Sequence, residues 1–410
     1  MRVIFLTHYF PPEVGAPQVR IEALARGLAR RGAVVTVHTC VPHYPDGQIR
    51  EPYRNRVYQV GHEGSIRVAR SIVYPAPNRG FLKRIAGHAS SALGAVLTSP
   101  LTGRADVVVA ESPPLFTGAA AIAYAATKRA ALVVNVADRW PASAVELGAL
   151  RQRRLIDAAS WLEQRCYRAA AELVSVSDRM AAELEALDSA RGKVRVIGPA
   201  VDVEAFRQGP PPAGRPLRLL YAGTVGAAQG LETVVEAARL AGPDAVQLTI
   251  AGDGAEAAAI RDSLDRSRVA NVRMLGSVPH DQVPGLYADA HAAVVALRAL
   301  PIFDEAIPTK LLEAMAAGRA VLLSGRGEAA RLVSRHEAGI VVAPESPAAL
   351  AAGLRQLAHD PDRLQALGAA GRRAAAEKFS RERFIDRWWD LLQAVTGPRP
   401  PASATRRRAG

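Results

Sequence analysis

Short apolar runs alternate along the chain with longer segments in which apolar side chains recur every three or four positions. The first pair is an apolar run at residues 2–6 and a helical pattern at residues 19–31 that ends at Gly32. Strands that are apolar on both sides are typical of parallel sheets whose faces are both covered by helices. The pattern therefore predicts an α/β protein built on parallel sheets.

Residues 198–216 separate two such series, and we interpret them as a linker because Gly209, three following prolines and Gly214 interrupt regular structure. The predicted strands are residues 2–6, 34–39, 106–110, 132–136, 172–176 and 194–197 before the linker, and 217–222, 246–251, 272–275, 292–296 and 320–323 after it. The chain should thus form two doubly wound domains, residues 1–197 and 217–379, facing across a cleft. Ligands of such sheets bind beyond the carboxyl ends of the strands.

The C-terminal end of the sequence contains one more helix and a tail. The helical pattern at residues 382–395 includes Phe384, Trp388 and Trp389. Residues 397–410 are rich in Pro, Ala and Arg, a composition that predicts a disordered basic tail.

The composition narrows the possible partners. The net charge of +13 favours anionic partners in general, such as nucleic acid, anionic lipid or phosphorylated substrates. No basic patch interleaved with aromatic residues and no known nucleic-acid module is present, so a nucleic-acid partner is not expected. The two cysteines have no metal-ligand spacing, and no signal-peptide pattern or membrane-spanning run is evident. We therefore expect a cytoplasmic protein.

Glu305 and Glu313 are the most informative pair of residues, because they flank Lys310 and the start of an apolar helix near Pro308. Carboxylates accept paired hydrogen bonds from sugar hydroxyls. A lysine and a helix N-terminus attract phosphate. Together they favour a nucleotide-sugar site; the alternative is an ordinary helix start with solvated charges.

Glycines follow three predicted strands of the second domain: Gly223-Thr224, then Gly252 and Gly254, then Gly276. The first of these, the glycine-rich turn from Gly223 to Gly226 between a strand and a helix, is suited to phosphate binding. For Gly252 and Gly254, a purely structural tight turn is the alternative.

Two loops of the first domain could also bind a ligand. Gly15-Ala16 precedes the first helix, where backbone amides can approach an anion, or where the loop is a plain connector. Asp138 follows the strand at residues 132–136 and would lie at the carboxyl edge of the sheet. It could bind a sugar hydroxyl or orient an acceptor; a helix cap or an ion pair with Arg139 is the alternative.

In this order, the motifs resemble those of the retaining glycosyltransferases of family GT4, and the resemblance covers residues 1–395. It implies a GT-B fold of two Rossmann-like domains, with a C-terminal helix at residues 380–396 that crosses back to the N-terminal domain. Gln229-Gly230-Leu231-Glu232 and Ile307-Pro308-Thr309-Lys310 are most similar to the branch that assembles O-antigen and exopolysaccharide.

The resemblance implies transfer of a sugar from a nucleoside diphosphate sugar, with a UDP-sugar favoured, to a glycan or a polyprenyl-diphosphate-linked acceptor. The family usually needs no metal, so no metal or other cofactor is expected. Asp360-x-Asp362, a possible metal motif, is better explained as a helix start with Pro361 in its first turn. A nucleotide-sugar epimerase of the same fold and a non-catalytic nucleotide-sugar-binding partner are the alternative functions.

The resemblance also assigns roles. Glu313 would bind the ribose hydroxyls, and Glu305 would contact the donor sugar or stabilise charge at the anomeric carbon. Lys310 and the helix start at Pro308 and Thr309 would stabilise the leaving diphosphate. The other implied donor-binding residues are Gly15, Ala16, Gly223, Thr224, Gly252, Gly254, Gly276 and Val278, and Asp138 would lie near the donor sugar.

The sequence departs from the family in two loops: Ala16 replaces the second glycine of the commoner Gly-Gly pair, and Ala227 and Gln229 stand where many members carry basic residues. Lys310, with Arg298 or Arg139 as a candidate second cation, must then supply the positive charge.

A membrane surface is a further candidate partner. Basic residues at 79–84 precede an apolar segment at residues 85–97, and Arg151, Arg153 and Arg154 precede another helix. A basic, apolar helix can lie on an anionic bilayer at the inner face of the plasma membrane. A core helix with solvated flanks is the alternative.

Overall fold

The computed structural model describes residues 1–13, 15–77, 81–146, 150–206, 209, 211–267 and 269–397. The chain divides into two compact units. The first comprises Met1–Gly198 together with the chain from Ile385 onward, and the second comprises Pro199–Phe384. The predicted disordered tail lies outside the described residues, apart from Gly397.

The first unit is built on an eight-stranded sheet in the order β3-β4-β2-β1-β5-β6-β7-β8, in which only the β3–β4 pair is antiparallel. Its strands are β1 (Arg2–Leu6), β2 (Val34–Cys40), β3 (Tyr58–Glu63), β4 (Ile66–Ser71), β5 (Val107–Ser112), β6 (Ala131–Val136), β7 (Glu172–Ser175) and β8 (Val194–Val196). Its helices are α1 (Ala16–Arg30), α2 (Phe81–Thr98), α3 (Leu115–Lys128), α4 (Ala142–Glu146), α5 (Arg153–Ala169) and α6 (Asp178–Glu185).

The second unit is built on a six-stranded parallel sheet in the order β11-β10-β9-β12-β13-β14. Its strands are β9 (Leu217–Ala222), β10 (Val246–Ala251), β11 (Val272–Gly276), β12 (Ala292–Ala296), β13 (Ala320–Ser324) and β14 (Gly339–Val342). Its helices are α7 (Leu231–Ala241), α8 (Ala257–Ser267), α9 (Val283–Ala288), α10 (Thr309–Ala316), α11 (Gly327–Arg335), α12 (Pro347–His359) and α13 (Pro361–Lys378). The prediction of two parallel-sheet α/β domains is confirmed.

The apolar strands form the cores because their side chains are buried on both faces of the sheets. All five residues of β12 and of β13 are buried, as are all six of β5. Two buried clusters, one on each face of the second sheet, take alternate residues of its strands. This is the pattern expected of parallel strands between helices.

The hairpin β3–β4 at the edge of the first sheet was not predicted. β3 has the sequence Tyr-Gln-Val-Gly-His-Glu and is half-exposed or exposed along its whole length. An edge strand of this kind has no continuous apolar run, so the hydrophobic pattern does not reveal it. Strand β14 and helix α11 were likewise not predicted.

The interpretation of residues 198–216 as a linker was wrong for its first half. Val201, Val203 and Phe206 are buried in the core of the second unit. The Val201 amide donates to the Phe379 carbonyl (2.8 Å), and the Arg372 guanidinium donates to the carbonyls of Val203 (2.7 Å) and Phe206 (2.8 Å). The segment packs without regular structure, so it has no periodicity from which its burial could be inferred.

The predicted crossover of the C-terminal helix, α14 (Arg381–Thr396), is confirmed. At its start, Arg381 pairs with Asp202 of the second unit (2.6 Å). From Ile385 onward the helix packs in the first unit, where a Cβ added to Gly27 of α1 would lie only 2.3 Å from the Ile385 Cδ1 atom. Trp388 is buried, and Asp386 forms an ion pair with Arg31.

Within the described part of the chain, no helix is both long enough and apolar enough to cross a membrane.

Candidate functional site

Three loops of the second unit meet where β9, β10 and β11 end. The Gly223 amide donates to the Ala251 carbonyl (2.8 Å), and the Gly252 amide donates to the Gly276 carbonyl (2.7 Å). A Cβ on Gly252 would lie 1.8 Å from the Gly223 oxygen, and Gly252 has a φ of +149°. Only glycine fits at this position, so the loops can pack backbone against backbone. The structure therefore brings together the predicted residues Gly223, Thr224, Gly252, Gly254 and Gly276.

Lys310 reaches this junction from the first turn of α10. Its ammonium nitrogen lies 3.0 Å from the position of a Cβ on Gly223, over the turn that follows β9. Helix α10 begins at Thr309 after Pro308, and no side chain of the described residues caps its N-terminus. The lysine, the uncapped helix start and the glycine turns thus lie in one region, as an anion site requires.

Tyr221 holds the Lys310 side chain. Lys310 Nζ donates to the Tyr221 hydroxyl and lies 4.0 Å from the centroid of the ring. The same hydroxyl donates to the Thr224 carbonyl (2.5 Å), and the Tyr287 hydroxyl donates to the Lys310 carbonyl (3.2 Å). Burial lowers the pKa of Lys310 to about 8, and nearby Glu313 opposes this shift. Neither tyrosine was predicted as a site residue.

Glu313 lies one turn after Lys310 on α10, with 16% of its side chain exposed. His280 Nε2 is 3.6 Å from Glu313 Oε1, and this carboxylate raises the pKa of His280. His280 follows the predicted residue Val278, whose side chain packs against the core of the unit. The histidine was not predicted, and its position in the loop after β11 was the only available signal.

Glu305 lies in a short 3₁₀ helix, Pro301–Glu305, in the loop between β12 and α10. Arg326 anchors this turn, because its Nε donates to Asp304 Oδ1 (2.6 Å). Glu305 itself is partly buried. The structure thus places Glu305 and Lys310 in the same connection, on either side of Pro308.

The two candidates for a second cation are both engaged in ion pairs. In the first unit, Arg139 Nη1 is 2.8 Å from Glu183 Oε2. In the second, Arg298 Nη2 is 2.6 Å from Glu232 Oε1 and 3.8 Å from Glu256 Oε1. Only Arg298 therefore lies in the same unit as Lys310.

The first unit has its own cavity, of about 450 Å³. It lies where β1 and β5 end, and its lining includes Thr7, His8, Tyr9, Gly15, Gln18, Tyr44, Arg84, His88, Glu111, Leu115, Phe116 and Trp140. Aromatic and imidazole rings form much of this lining. The predicted residue Gly15 is therefore at a cavity wall, whereas Ala16 begins helix α1 and its side chain lies outside the described residues.

Asp138 accepts a hydrogen bond from the Ser143 hydroxyl at the start of α4 (2.8 Å). Arg139 is directed to Glu183 instead, so the alternative of an Asp138–Arg139 ion pair is not the observed arrangement. Trp140, two residues after Asp138, lines the cavity. The loop after β6 therefore contributes to the cavity wall.

Glu111 is a cavity residue that sequence analysis missed. Its carboxylate is buried at the end of β5, where it accepts hydrogen bonds from Arg20 and from Asn135 Nδ2 (2.8 Å). A carboxylate in an otherwise apolar strand was the signal that could have revealed it.

Two histidines of the cavity lining, His8 and His88, are neutral because they are buried. Burial lowers the pKa of His8 well below its ordinary value, and neighbouring His88 and His43 lower it further. Burial also lowers the pKa of His88 to about 4, with Arg84 contributing. The cavity lining therefore combines the uncharged imidazoles of His8 and His88 with the side chains of Glu111 and Arg84.

Comparison with known families accounts for both units. Residues 15–200 match the glycosyl transferase 4-like domain, and residues 202–374 match the glycosyl transferases group 1 domain. The chain therefore belongs to the glycosyltransferase family that these two domains describe. The putative colanic acid biosynthesis glycosyl transferase WcaI of Escherichia coli is 24% identical to this glycosyltransferase over 379 residues, which are 87% of this chain and 92% of that protein.

Solved structures of GT-B glycosyltransferases have the same fold as this enzyme. Sucrose-phosphate synthase from Thermosynechococcus elongatus superposes with a TM-score of 0.73 at 18% identity, covering 96% of this chain and 98% of that one. HepE of Anabaena in complex with UDP-glucose superposes with a TM-score of 0.68 at 15% identity, covering 96% and 99%. The fold predicted from the sequence is therefore confirmed.

Proposed function

We propose that this glycosyltransferase transfers a sugar, with retention of configuration, from a UDP-sugar to a glycan or polyprenyl-diphosphate-linked acceptor in cell-surface polysaccharide biosynthesis. The observation that carries the donor assignment is the position of the Lys310 ammonium over the Gly223 turn, one helical turn from Glu313. Similarity to a relative named for colanic acid biosynthesis supports the polysaccharide role. The UDP-glucose complex of a structural neighbour supports the choice of UDP.

In the proposed reaction, the bond between the anomeric carbon and the diphosphate oxygen breaks as the acceptor oxygen bonds to that carbon from the same face. The acceptor proton passes to an oxygen of the leaving diphosphate. Lys310 and the N-terminus of α10 stabilise the charge that develops on the leaving group. Glu313 accepts hydrogen bonds from the ribose hydroxyls, and Glu305 stabilises positive charge at the anomeric carbon.

The cavity of the first unit is the proposed acceptor site. Its Tyr9, Tyr44 and Trp140 rings offer apolar faces to a sugar, and Glu111 can accept hydrogen bonds from hydroxyl groups. Asp138, beside this wall, would orient the acceptor hydroxyl. We propose no metal or other cofactor for the reaction.

We propose that helix α5 is the face that approaches an anionic membrane. Leu155 and Trp161 are 46% and 60% exposed, and the Arg165 guanidinium lies 5.6 Å from the centroid of the Trp161 ring. Arg154 is exposed two turns before Trp161, on the same stripe of the helix as Trp161 and Arg165. Tryptophan and arginine together favour the interface of an anionic bilayer.

The membrane proposal is tested by sedimentation with anionic and neutral liposomes at low salt. Trp161→Ala should reduce binding to anionic liposomes, whereas Leu97→Ala on α2, which is 69% exposed, is the matched control. Loss of binding in the α2 variant alone would instead assign the surface to α2. Equal binding of all three proteins, or no binding by the unmodified protein, would rule out the α5 surface.

The donor site is tested by titrating the purified protein with UDP, GDP, ADP and dTDP and measuring the thermal shift with and without EDTA. The proposal expects a shift with UDP that survives EDTA and disappears in Glu313→Ala. If only one of the other nucleotides caused a shift, that nucleotide would replace UDP in the proposal. A shift that EDTA removes would contradict the metal-free reaction.

The non-catalytic alternative has one observation in its favour, the uncharged Ala227 and Gln229 in the glycine-rich loop. It predicts nucleotide binding without turnover of any UDP-sugar in the presence of membrane extract as acceptor. An epimerase would instead consume the UDP-sugar without an acceptor and release a different UDP-sugar.

A further inference from the structure

Arg298 lies across the end of the loop that connects β9 to α7. Its amide donates to the Ala228 carbonyl (3.0 Å), which fixes its backbone against the loop. Its side chain passes over Gly230, where an added Cβ would lie 3.2 Å from Arg298 Cγ and 3.6 Å from Nε. Lys310 lies over Gly223 at the other end of the same loop. The loop is thus flanked by one cation at each end.

The Arg298 guanidinium is only partly satisfied. Its Nη2 donates to Glu232 Oε1 (2.6 Å), but Nε is buried and has no partner in the described part of the chain. Glu256, the other nearby acid, is 3.8 Å away and has one buried oxygen that also lacks a partner there. The Glu232 side chain is 58% exposed. Exposed ion pairs of this kind are weak, so an arriving anion can replace Glu232.

The loop itself contributes no charge, because Ala227 and Gln229 are neutral. The donor site proposed above must neutralise a diphosphate, and Lys310 is a single cation. An arginine is suited to this task because its planar guanidinium forms paired hydrogen bonds with phosphate oxygens. Helix α7 begins at Leu231 after the N-cap residue Gly230, with no side-chain cap from the described residues, so its N-terminus favours an anion in the same place.

We propose that Arg298 is the second diphosphate-binding cation, and that it exchanges Glu232 for a phosphate when the donor binds. The inference rests on the donor site of the proposed function. It makes Glu232 a competitor of the phosphate, so that the carboxylate weakens donor binding by occupying the guanidinium. Arg298 is therefore a binding residue, and Glu232 a residue that acts through it.

The test measures the affinity of the unmodified protein, Arg298→Gln and Arg298→Lys for UDP and for uridine by isothermal titration calorimetry. Arg298→Gln should weaken UDP binding by about tenfold or more, with Arg298→Lys in between. Uridine binding should not change. Arg239→Gln, which removes an arginine paired with Glu236 on the exposed face of α7, is the matched control and should bind UDP normally.

Two further variants separate a direct role from a structural one. As a single substitution, Glu232→Gln should tighten UDP binding by about two- to threefold. In a protein that already carries Arg298→Gln, it should have no effect on UDP binding. This coupling is expected if phosphate replaces Glu232 at the Arg298 guanidinium. Gln229→Lys should restore UDP affinity to Arg298→Gln. The Gln229 side chain already faces this loop, since its Oε1 lies 3.5 Å from the position of a Cβ on Gly226.

The outcomes distinguish this inference from the proposed function. If the unmodified protein binds UDP and Arg298→Gln binds it equally well, Arg298 is not a diphosphate ligand and the donor site stands without it. If Arg298→Gln weakens uridine and UDP binding equally, its role is structural and the inference is wrong. If the unmodified protein binds neither UDP nor GDP, ADP or dTDP, both the donor site and this inference are overturned.

Discussion

The Lys310 ammonium lies against the face of the Tyr221 ring, 4.0 Å from its centroid, and donates a hydrogen bond to the hydroxyl of the same residue. Tyr221 is completely buried at the end of β9, and Lys310 comes from the start of α10. A cation held by a ring and a hydroxyl has little rotational freedom, so it is already positioned for a phosphate. The pair therefore joins a core strand to the proposed leaving-group site.

Replacing Lys310 should affect turnover more than donor affinity. If its charge acts mainly on the leaving diphosphate, Lys310→Ala should lower kcat by about 100-fold or more and change KM for the donor much less. Steady-state kinetics with the UDP-sugar measure both constants. Lys378→Ala, an exposed lysine at the end of α13, is the control. A variant with unchanged kcat would remove Lys310 from the proposed chemistry.

The pKa of Lys310 predicts a pH dependence of nucleotide binding. Because burial lowers this pKa to about 8, the free enzyme loses the ammonium above that pH. Affinity for UDP should therefore fall as the pH rises from 7 to 9, and binding at pH 8 should take up protons. Calorimetry in buffers of different ionisation enthalpy measures the uptake. A pH profile that is the same in Lys310→Met would contradict the assignment.

The same shift predicts how stability depends on pH. The folded-state pKa of about 8 lies below the ordinary value of 10.5, so the unfolded state binds more protons at this group between those pH values. The charged lysine thus lowers the free energy of unfolding at pH 7, and this cost disappears as the pH rises towards 10.5. Lys310→Met should be more stable than the unmodified protein at pH 7, and the difference should shrink by pH 10. Urea unfolding at the two pH values checks this.

Glu313 should control the ionisation of His280. The carboxylate raises the pKa of this histidine, so Glu313→Gln should lower it towards 6.5. The pKa of His280 can be followed by NMR of the ring protons, with His336 as a reference histidine whose surroundings do not include Glu313. An unchanged His280 titration would mean that the 3.6 Å contact does not persist in solution.

Gly252 should be far less tolerant of substitution than another glycine of the same unit. A Cβ at position 252 would overlap the Gly223 carbonyl and force apart the two turns beneath Lys310. Gly252→Ala should lower the free energy of unfolding by a few kcal/mol and remove nucleotide binding, as large clashes at special backbone positions do. Gly285→Ala in α9 meets open space and should be neutral or slightly stabilising. Thermal unfolding of both variants makes the comparison.

The segment first interpreted as a linker should contribute to stability. Phe206 is buried against Tyr287, with ring centroids 5.7 Å apart, so Phe206→Ala should lower the free energy of unfolding by about 3–5 kcal/mol. Ala213→Gly, at an exposed position of the same segment, should change stability little. Equal stability of the two variants in urea would restore the linker interpretation.

The hydrophobic pattern was sufficient to predict the fold, because the strands and helices of a parallel α/β protein alternate along the chain and each is marked by its own local sequence. Strands such as β9, β10 and β12 have the bounds that their apolar runs predict, since most of their residues are buried, and β9 and β10 are each followed by a glycine. Glycines and charged residues that follow such strands could be recognised as candidate site residues for the same reason. The edge strand β3 and the buried segment at Val201–Phe206 could not, because neither has a period of its own.

The sequence by itself therefore determined the α/β class, the two sheets, the family and most candidate ligand-binding positions. Only the tertiary structure brought Tyr221 beneath Lys310, His280 against Glu313, and Arg298 over Gly230. These contacts join residues that are far apart in the sequence, such as Lys310 and Tyr221, which are separated by 89 positions. Several of the residues also lie in loops, which have no hydrophobic periodicity. Their distances depend on how neighbouring strands end at one edge of the sheet, which is a property of packing and not of local sequence.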